Sequence, residues 1–167
     1  MKRVYLALGS NLGDREANLR TAIRKLHGPD LQVCRISSVY ETAAVYYLEQ
    51  PDFLNCVVEA DTDLLPMRLL RRVSSIERSM GRKRAIPKGP RNIDIDILLH
   101  GSAVIDTPDL KVPHPRMAER RFVLEPLAEL APDLRHPVDR RTIREMLAAA
   151  PPQRVAKLGA PLDVALD

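Results

Sequence analysis

Asp94 and Asp96 are the residues whose types and spacing point most directly to chemistry. They lie in Arg91-Asn92-Ile93-Asp94-Ile95-Asp96-Ile97-Leu98-Leu99-His100-Gly101, where branched apolar and acidic residues alternate with the period of a half-buried strand. That period puts both carboxylates on one face, with α-carbons about 6.6 Å apart. Two anions so close repel unless something cationic sits over them. Magnesium fits the need, because it takes one or two carboxylates and completes its shell with substrate phosphates. Immediately upstream, Gly81 to Arg91 carries Arg82, Lys83, Arg84, Lys88 and Arg91 in a stretch punctuated by Gly and Pro that resists helix and strand. Carboxylates for metal ions and guanidinium groups for the remaining phosphate oxygens are the two halves of a polyphosphate site. A lone Asp-x-Asp is also common on solvated or ion-paired surfaces, so the adjoining basic loop is what favours the chemical reading.

The elements that position this stretch follow in order. Arg3 to Gly9 reads as a buried first strand, and Ser10 to Arg15 as a turn into a helix that runs to about His27, with Asp14 as its N-cap. Gly9 and Gly13 do not make a phosphate loop, since no Lys-Ser/Thr follows the second glycine. Gln32 to Tyr40 alternates as a second strand. Glu41 to Asp52 is a connection rich in apolar residues and tyrosine, which either packs down or covers something. Phe53 to Ala60 is strand again, and Asn55 stands in it as an isolated amide, satisfied locally or reading a ligand's edge. Asp63 to Met80 is a helix with an apolar stripe of Leu65, Leu69, Val73, Ile76 and Met80; its arginines form a solvated face, and Gly81 ends it. Beyond the acidic strand, Ser102 to Thr107 is expected to pair with it as a hairpin about Gly101. Pro113 and Pro115 hold His114 in a stiff extended segment. Short helices follow over Val123 to Leu130 and Thr142 to Ala149, and 151–167 reads as a peripheral tail. Mixed elements with hairpin signals favour an α+β sandwich with a largely antiparallel sheet, in a single domain over 1–167.

Composition narrows the class. The chain has 167 residues and a net charge of +4, enough length to bury a core without staples. Cys34 and Cys56 show no metal-site or disulfide spacing and read as reduced core residues of a cytoplasmic protein. No membrane-length apolar run or secretory leader is evident. Only four tyrosines and two phenylalanines are present, too few for a single-strand nucleic-acid stacking platform.

Several separated motifs then agree in order and nearly in spacing: Tyr5-Leu6-Ala7-Leu8-Gly9-Ser10-Asn11-Leu12-Gly13, Gln50-Pro51-Asp52-Phe53-Leu54-Asn55, Gly89 to Leu98, and Val112-Pro113-His114 with Arg120 and Phe122. Together, over roughly Val4 to Pro137, they resemble the 6-hydroxymethyl-7,8-dihydropterin pyrophosphokinases of folate biosynthesis. The resemblance implies a ferredoxin-like α+β sandwich and a transfer of the terminal pyrophosphate of ATP to the pterin hydroxymethyl oxygen, releasing AMP. It implies that Asp94 and Asp96 bind two Mg2+ ions with the ATP phosphates, and that Asp96 is the candidate to receive the hydroxyl proton. Arg82 and Arg91 would stabilise charge on the transferred group, while Glu77, Arg84, Ile97, His114 and Arg120 would belong to the nucleotide site. Thr42, Ala43, Val45 and Asn55 would hold the pterin, and Phe53 and Phe122 would sandwich it. The loop from Arg82 to Pro90 resembles a lid that closes to exclude water. ATP and a reduced pterin are the expected partners of a monomer, without nucleic acid or membrane.

The chain departs from that pattern at Lys88, where many members carry an aromatic residue, and at Ala43 and Ala44, which replace prolines. Pro115 replaces a tyrosine, Asp109 an arginine, and the lid is about one residue shorter, so more than one alignment of Arg84 stays open. These changes bear on affinity and lid closure rather than on reaction type. Two rival readings compete. A nucleotidyltransferase also joins Gly-Ser to Asp-x-Asp, but across one short helix, whereas Gly9-Ser10 and Asp94 are most of a domain apart. A basic RNA-binding module of similar fold would need exposed aromatics on its sheet.

Overall fold

The computed structural model of the protein describes residues 1–43, 50–81 and 92–167. Its elements are β1 (Lys2–Ser10), α1 (Arg15–Leu26), β2 (Leu31–Ile36), β3 (Ser38–Thr42), β4 (Phe53–Thr62), α2 (Pro66–Ser79), β5 (Asp94–His100), β6 (Ile105–Asp106), β7 (Lys111–Val112), α3 (Arg121–Leu130), α4 (Ile143–Ala149) and β8 (Val155–Pro161). The main sheet has the order β5-β1-β4-β3-β8, with β2 also on β4, and its pairs are antiparallel. Taking β2 and β3 as one bent strand, the chain from β1 to β5 runs βαββαβ, the split arrangement of ferredoxin-like folds.

Helices cover both faces of the sheet, which is why β1 reads as a continuous apolar run rather than a clean alternation. Leu19, Ile23 and Leu26 of α1 and Leu69, Val73 and Ile76 of α2 pack on Val4, Leu6, Leu8, Val58 and Ile97. On the opposite face Leu124 and Leu127 of α3 and Ile143 and Met146 of α4 cover Tyr5, Val57, Leu98 and Leu99. Asp14 caps α1 by accepting the N–H of Ala17. Pro66 opens α2 and Gly81, at φ 80°, follows its end. Leu65 is exposed at the N-cap, so the working stripe of α2 is Leu69, Val73 and Ile76, with Glu77 buried beside them. Arg72 is not merely solvated: its guanidinium meets Asp30 at 2.7 Å.

Four expectations are corrected. The strand expected over Gln32 to Tyr40 breaks at Ser37, whose hydroxyl accepts the Val57 N–H at 2.8 Å and donates to the Ser38 carbonyl at 2.8 Å. A side-chain hydroxyl thus takes over one rung of the ladder, and the chain bends there. The hairpin expected about Gly101 does not form, because the Gly101 N–H remains on the Arg3 carbonyl of β1; β6 pairs instead with β7 around a turn closed by Thr107 and Leu110. Residues 151–167 are no loose tail. β8 covers the edge of β3 from Thr42↔Val155 to Ser38↔Pro161, Leu162 is buried, and the His27 ring meets the Asp167 carbonyl at 2.8 Å. Cys34 is exposed, whereas Cys56 is buried and its thiol is pushed up to about 12 by that burial.

Candidate active site

Asp94 and Asp96 open β5, and the antiparallel register sets them opposite Gly9 and Ala7 of β1. Gly9 in turn faces Asn55 of β4, which faces Tyr40 of β3, while Phe53 faces Thr42. Facing residues of an antiparallel pair share a side of the sheet, so the two acids, the isolated amide, Phe53 and Thr42 all stand on one surface. α3 covers that surface only at its far end. Ile95 and Ile97 point the other way into the core beneath α1 and α2. Both aspartates therefore keep partial exposure while the residues between and behind them do not.

The uncovered part opens into a cavity of about 440 Å³ that also reaches Leu70, Val73 and Ser74 of α2 and the Ile95 side of β5. Thr42, Ala43, Phe53 and Asn55 line one side of it, and Asp94, Asp96, His114, Arg120 and Phe122 another, with Ala7 and Gly9 also in its wall. Asn55 Nδ2 donates to Thr42 Oγ1 at 2.9 Å, and its Oδ1 hangs over Gly9. A methyl group built on Gly9 would come within 3.1 Å of that oxygen and 3.5 Å of the Phe53 ring. The amide can therefore settle where it does only because position 9 has no side chain.

His114 reaches the site because its N–H bonds the Leu98 carbonyl of β5 at 3.0 Å, just after the cis Val112–Pro113 peptide. Burial, then the charges of Arg120 and Arg116, push the imidazole down to about 4, against an opposing pull from Asp94. The ring is neutral at pH 7. Its Nδ1 accepts the Arg116 N–H at 3.2 Å, which leaves the proton on Nε2, 4.0 Å from Asp96 Oδ2. At that distance and protonation state the pair is no salt bridge, and Nε2–H is a neutral donor aimed at the acids' oxygens or at a ligand between them. The Arg120 guanidinium carbon lies 5.6 Å from the centre of the Phe122 ring, in cation–π range.

Glu77 is 6% exposed and accepts the Ile95 N–H at 2.9 Å, tying α2 to the strand between the two aspartates. It lines the cavity as well. Ile97, expected in the nucleotide site, has its side chain in the core and is absent from the cavity wall. Arg82, Arg84, Arg91 and Val45, with Lys88 and the expected lid, lie outside the described residues. Sequence reasoning missed two features. It read Gly9 only as the end of the first strand, and it gave no role to buried Asn11, which donates to Gln50 Oε1 at 2.7 Å and to the Pro51 carbonyl at 3.0 Å. With Arg15 on Glu41 and on the Asp52 carbonyl, these bonds fasten both flanks of 44–49 to the start of α1. The signal was present in Gly9-Ser10-Asn11 and Gln50-Pro51, two polar clusters at the ends of apolar strands.

An α+β sandwich that sets paired carboxylates beside a slot with aromatic walls and an amide has the makeup of an enzyme joining a flat heterocycle to a phosphorylated co-substrate. The family model described as 7,8-dihydro-6-hydroxymethylpterin-pyrophosphokinase (HPPK) matches residues 5–132. The 2-amino-4-hydroxy-6-hydroxymethyldihydropteridine pyrophosphokinase of Bacillus subtilis is 51% identical over 127 residues, 75% of this chain and 76% of that one. Its Pseudomonas aeruginosa counterpart is 43% identical over 159 residues, 95% and 98% of the two chains. The folic acid synthesis protein fol1 of Schizosaccharomyces pombe is 43% identical over 155 residues, but those residues span only 21% of its length. Among solved structures, wild-type Plasmodium falciparum HPPK-DHPS with pteroate superposes with a TM-score of 0.73 at 19% identity, over 88% of this chain and 42% of that one. The chain belongs to the 7,8-dihydro-6-hydroxymethylpterin-pyrophosphokinase family, whose reaction is pyrophosphoryl transfer from ATP to hydroxymethyldihydropterin in folate synthesis.

Proposed function

We propose that this chain transfers the terminal pyrophosphate of ATP to the hydroxymethyl oxygen of 6-hydroxymethyl-7,8-dihydropterin, giving the pterin diphosphate and AMP, with magnesium held at Asp94 and Asp96. The observation that carries the proposal is the shared face: the two carboxylates line the same cavity as Thr42, Asn55, Phe53 and Phe122. The donor set fits magnesium. Both candidate ligands are hard carboxylate oxygens, and two of them leave most of an octahedral shell to phosphate oxygens and water. Bound there, two metal ions would neutralise charge on the phosphates and on both the attacking and leaving oxygens of the displacement.

The chain's own residues do the positioning, which is most of what phosphoryl transfer asks of a protein. Asn55, fixed by Thr42, presents its amide to the polar edge of the pterin, and Phe53 and Phe122 hold the ring faces. Arg120 and the neutral Nε2–H of His114 face the nucleotide phosphates. Arg82 and Arg91 balance charge on the transferred group, and Asp96 takes the hydroxyl proton. Glu77 acts through the backbone, holding Ile95 so that its two acidic neighbours keep their spacing. The enzyme works as a cytoplasmic monomer.

The test is AMP formation from ATP by the purified chain. The proposal expects AMP only when Mg2+ and the reduced pterin are both present; AMP formed equally without pterin, or none under any condition, would overturn it.

A further inference from the structure

The geometry points to Glu129 as a positioning residue for the heterocycle: its carboxylate sets the placement of α3 along β3 and so the width of the slot between Phe122 and Phe53. The inference rests on the pterin reading of that slot. Glu129 Oε2 accepts both the backbone N–H and the hydroxyl of Ser38, each at 3.0 Å, and Oε1 accepts the Tyr40 hydroxyl at 2.7 Å. Ser38 and Tyr40 are 1% and 5% exposed. Three donors of one strand therefore converge, largely out of water, on one acid of a helix some 90 residues away. Bonds to an ionised acceptor in such surroundings are among the stronger ones. The phenol is kept protonated by its burial and by the negative charge of Glu129.

The two elements run side by side in opposite directions. Ser38, Tyr40 and Thr42 share one face of β3, the face that continues through Asn55 and Phe53. On α3, Phe122 precedes Glu129 by seven residues, or two turns, so both lie on the same side of the helix, about 10.5 Å apart. Glu129 is fastened near Ser38, while Phe122 lines the cavity whose other wall carries Thr42 and Phe53. Arg35 of β2 adds a second tether by donating to the Leu130 carbonyl at 2.8 Å, where a cation also complements the helix C-terminus. With that end of α3 pinned, the helix carries Phe122 as a fixed arm. A slip of α3 along β3 would move the ring against Phe53 and Asn55 without disturbing Asp94 or Asp96 on β5.

Neutral glutamine has one acceptor oxygen for three donors and turns its NH2 toward the others, so Glu129→Gln loosens the clamp while keeping the volume. The experiment measures steady-state constants for both substrates, with thermal unfolding, for Glu129→Gln, Glu129→Ala and Tyr40→Phe. Expected is a rise in KM for the pterin of about tenfold in Glu129→Gln and about threefold in Tyr40→Phe. KM for ATP should rise by less than about threefold, since Arg120 at the start of α3 shifts with the ring, and kcat at saturation should stay within about twofold. The double variant Glu129→Gln/Tyr40→Phe should be no worse than Glu129→Gln alone, because both act through one contact. A cooperatively folded Glu129→Gln with unchanged pterin KM, or with both KM values raised alike, would overturn the clamp. If Glu129→Ala does not fold, Tyr40→Phe and Glu129→Gln still decide. A wild-type chain that forms no AMP defeats the pyrophosphokinase reading itself, an outcome distinct from an active enzyme indifferent to Glu129.

Discussion

Gly9→Ala tests whether the slot over β1 is built for a ligand rather than for packing. A β-carbon at position 9 would sit 3.1 Å from Asn55 Oδ1, against an ordinary contact of 3.4 Å or more. The amide must therefore retreat by about 0.3 Å, stretching its 2.9 Å bond to Thr42 or tilting into the space the ring occupies. A displaced hydrogen-bonding edge and an added methyl in the wall should raise the pterin KM by about tenfold, equivalent to ~1.4 kcal/mol. Stability should hardly change. Gly9 is not among the glycines with positive φ, so alanine fits the backbone and stiffens the unfolded chain by about 0.4–1 kcal/mol, which offsets crowding at the lower end of the usual 1–3 kcal/mol. The unfolding midpoint should stay within about 4 °C of wild type. Steady-state kinetics with each substrate varied, beside a thermal melt, is the assay. An unchanged pterin KM, or a fall of ~10 °C with both substrates affected equally, would refute the reasoning.

Three further expectations are independent of that one. Arg91→Ala, next to the acidic strand, should slow single-turnover AMP formation far more than it weakens ATP binding; loss confined to binding would remove Arg91 from the chemistry. Arg72 holds the Asp30 carboxyl below its ordinary value, first by hydrogen bonding and then by charge. The folded value is the lower one, so this contribution to stability is present above the unfolded pKa, near 4, and is lost as pH falls through the folded value. Asp30→Asn should flatten the acid limb of the stability curve below about pH 4 and leave an identical acid limb only if the pair contributes nothing. Leu124→Ala, at a fully buried site of the α3 face, should cost about 2–5 kcal/mol in denaturant unfolding, and a loss under ~1 kcal/mol would mean that α3 is loosely held.

The acidic strand was legible because alternation of period two is local: Ile-Asp-Ile-Asp reports its own faces whatever lies beside it. The same holds for Asp14 at a helix start and for the stripe on α2. Features set by distant partners were not legible. Gly9 looks like an ordinary strand end until the β1–β4 register sets Asn55 across from it. β8 looks like a tail until β3 offers an unpaired edge. Ser37 breaks its strand through a hydroxyl that replaces a ladder bond, which no propensity signals. Glu129 reads as one more polar residue in an apolar helix, since its three donors lie on a strand some 90 residues earlier. Ile97, which the family resemblance puts in the nucleotide site, has its side chain turned into the core by the same period that pairs Asp94 with Asp96.

The most direct measurement for the central claim is turnover of Asp94→Ala and Asp96→Ala across a range of Mg2+ concentrations, with unfolding recorded alongside. If the two carboxylates hold the metal-bound phosphates, each variant should keep its cooperative melt and lose about a thousandfold or more in AMP formation, without recovery at high Mg2+. Turnover near that of wild type in either folded variant would contradict the account.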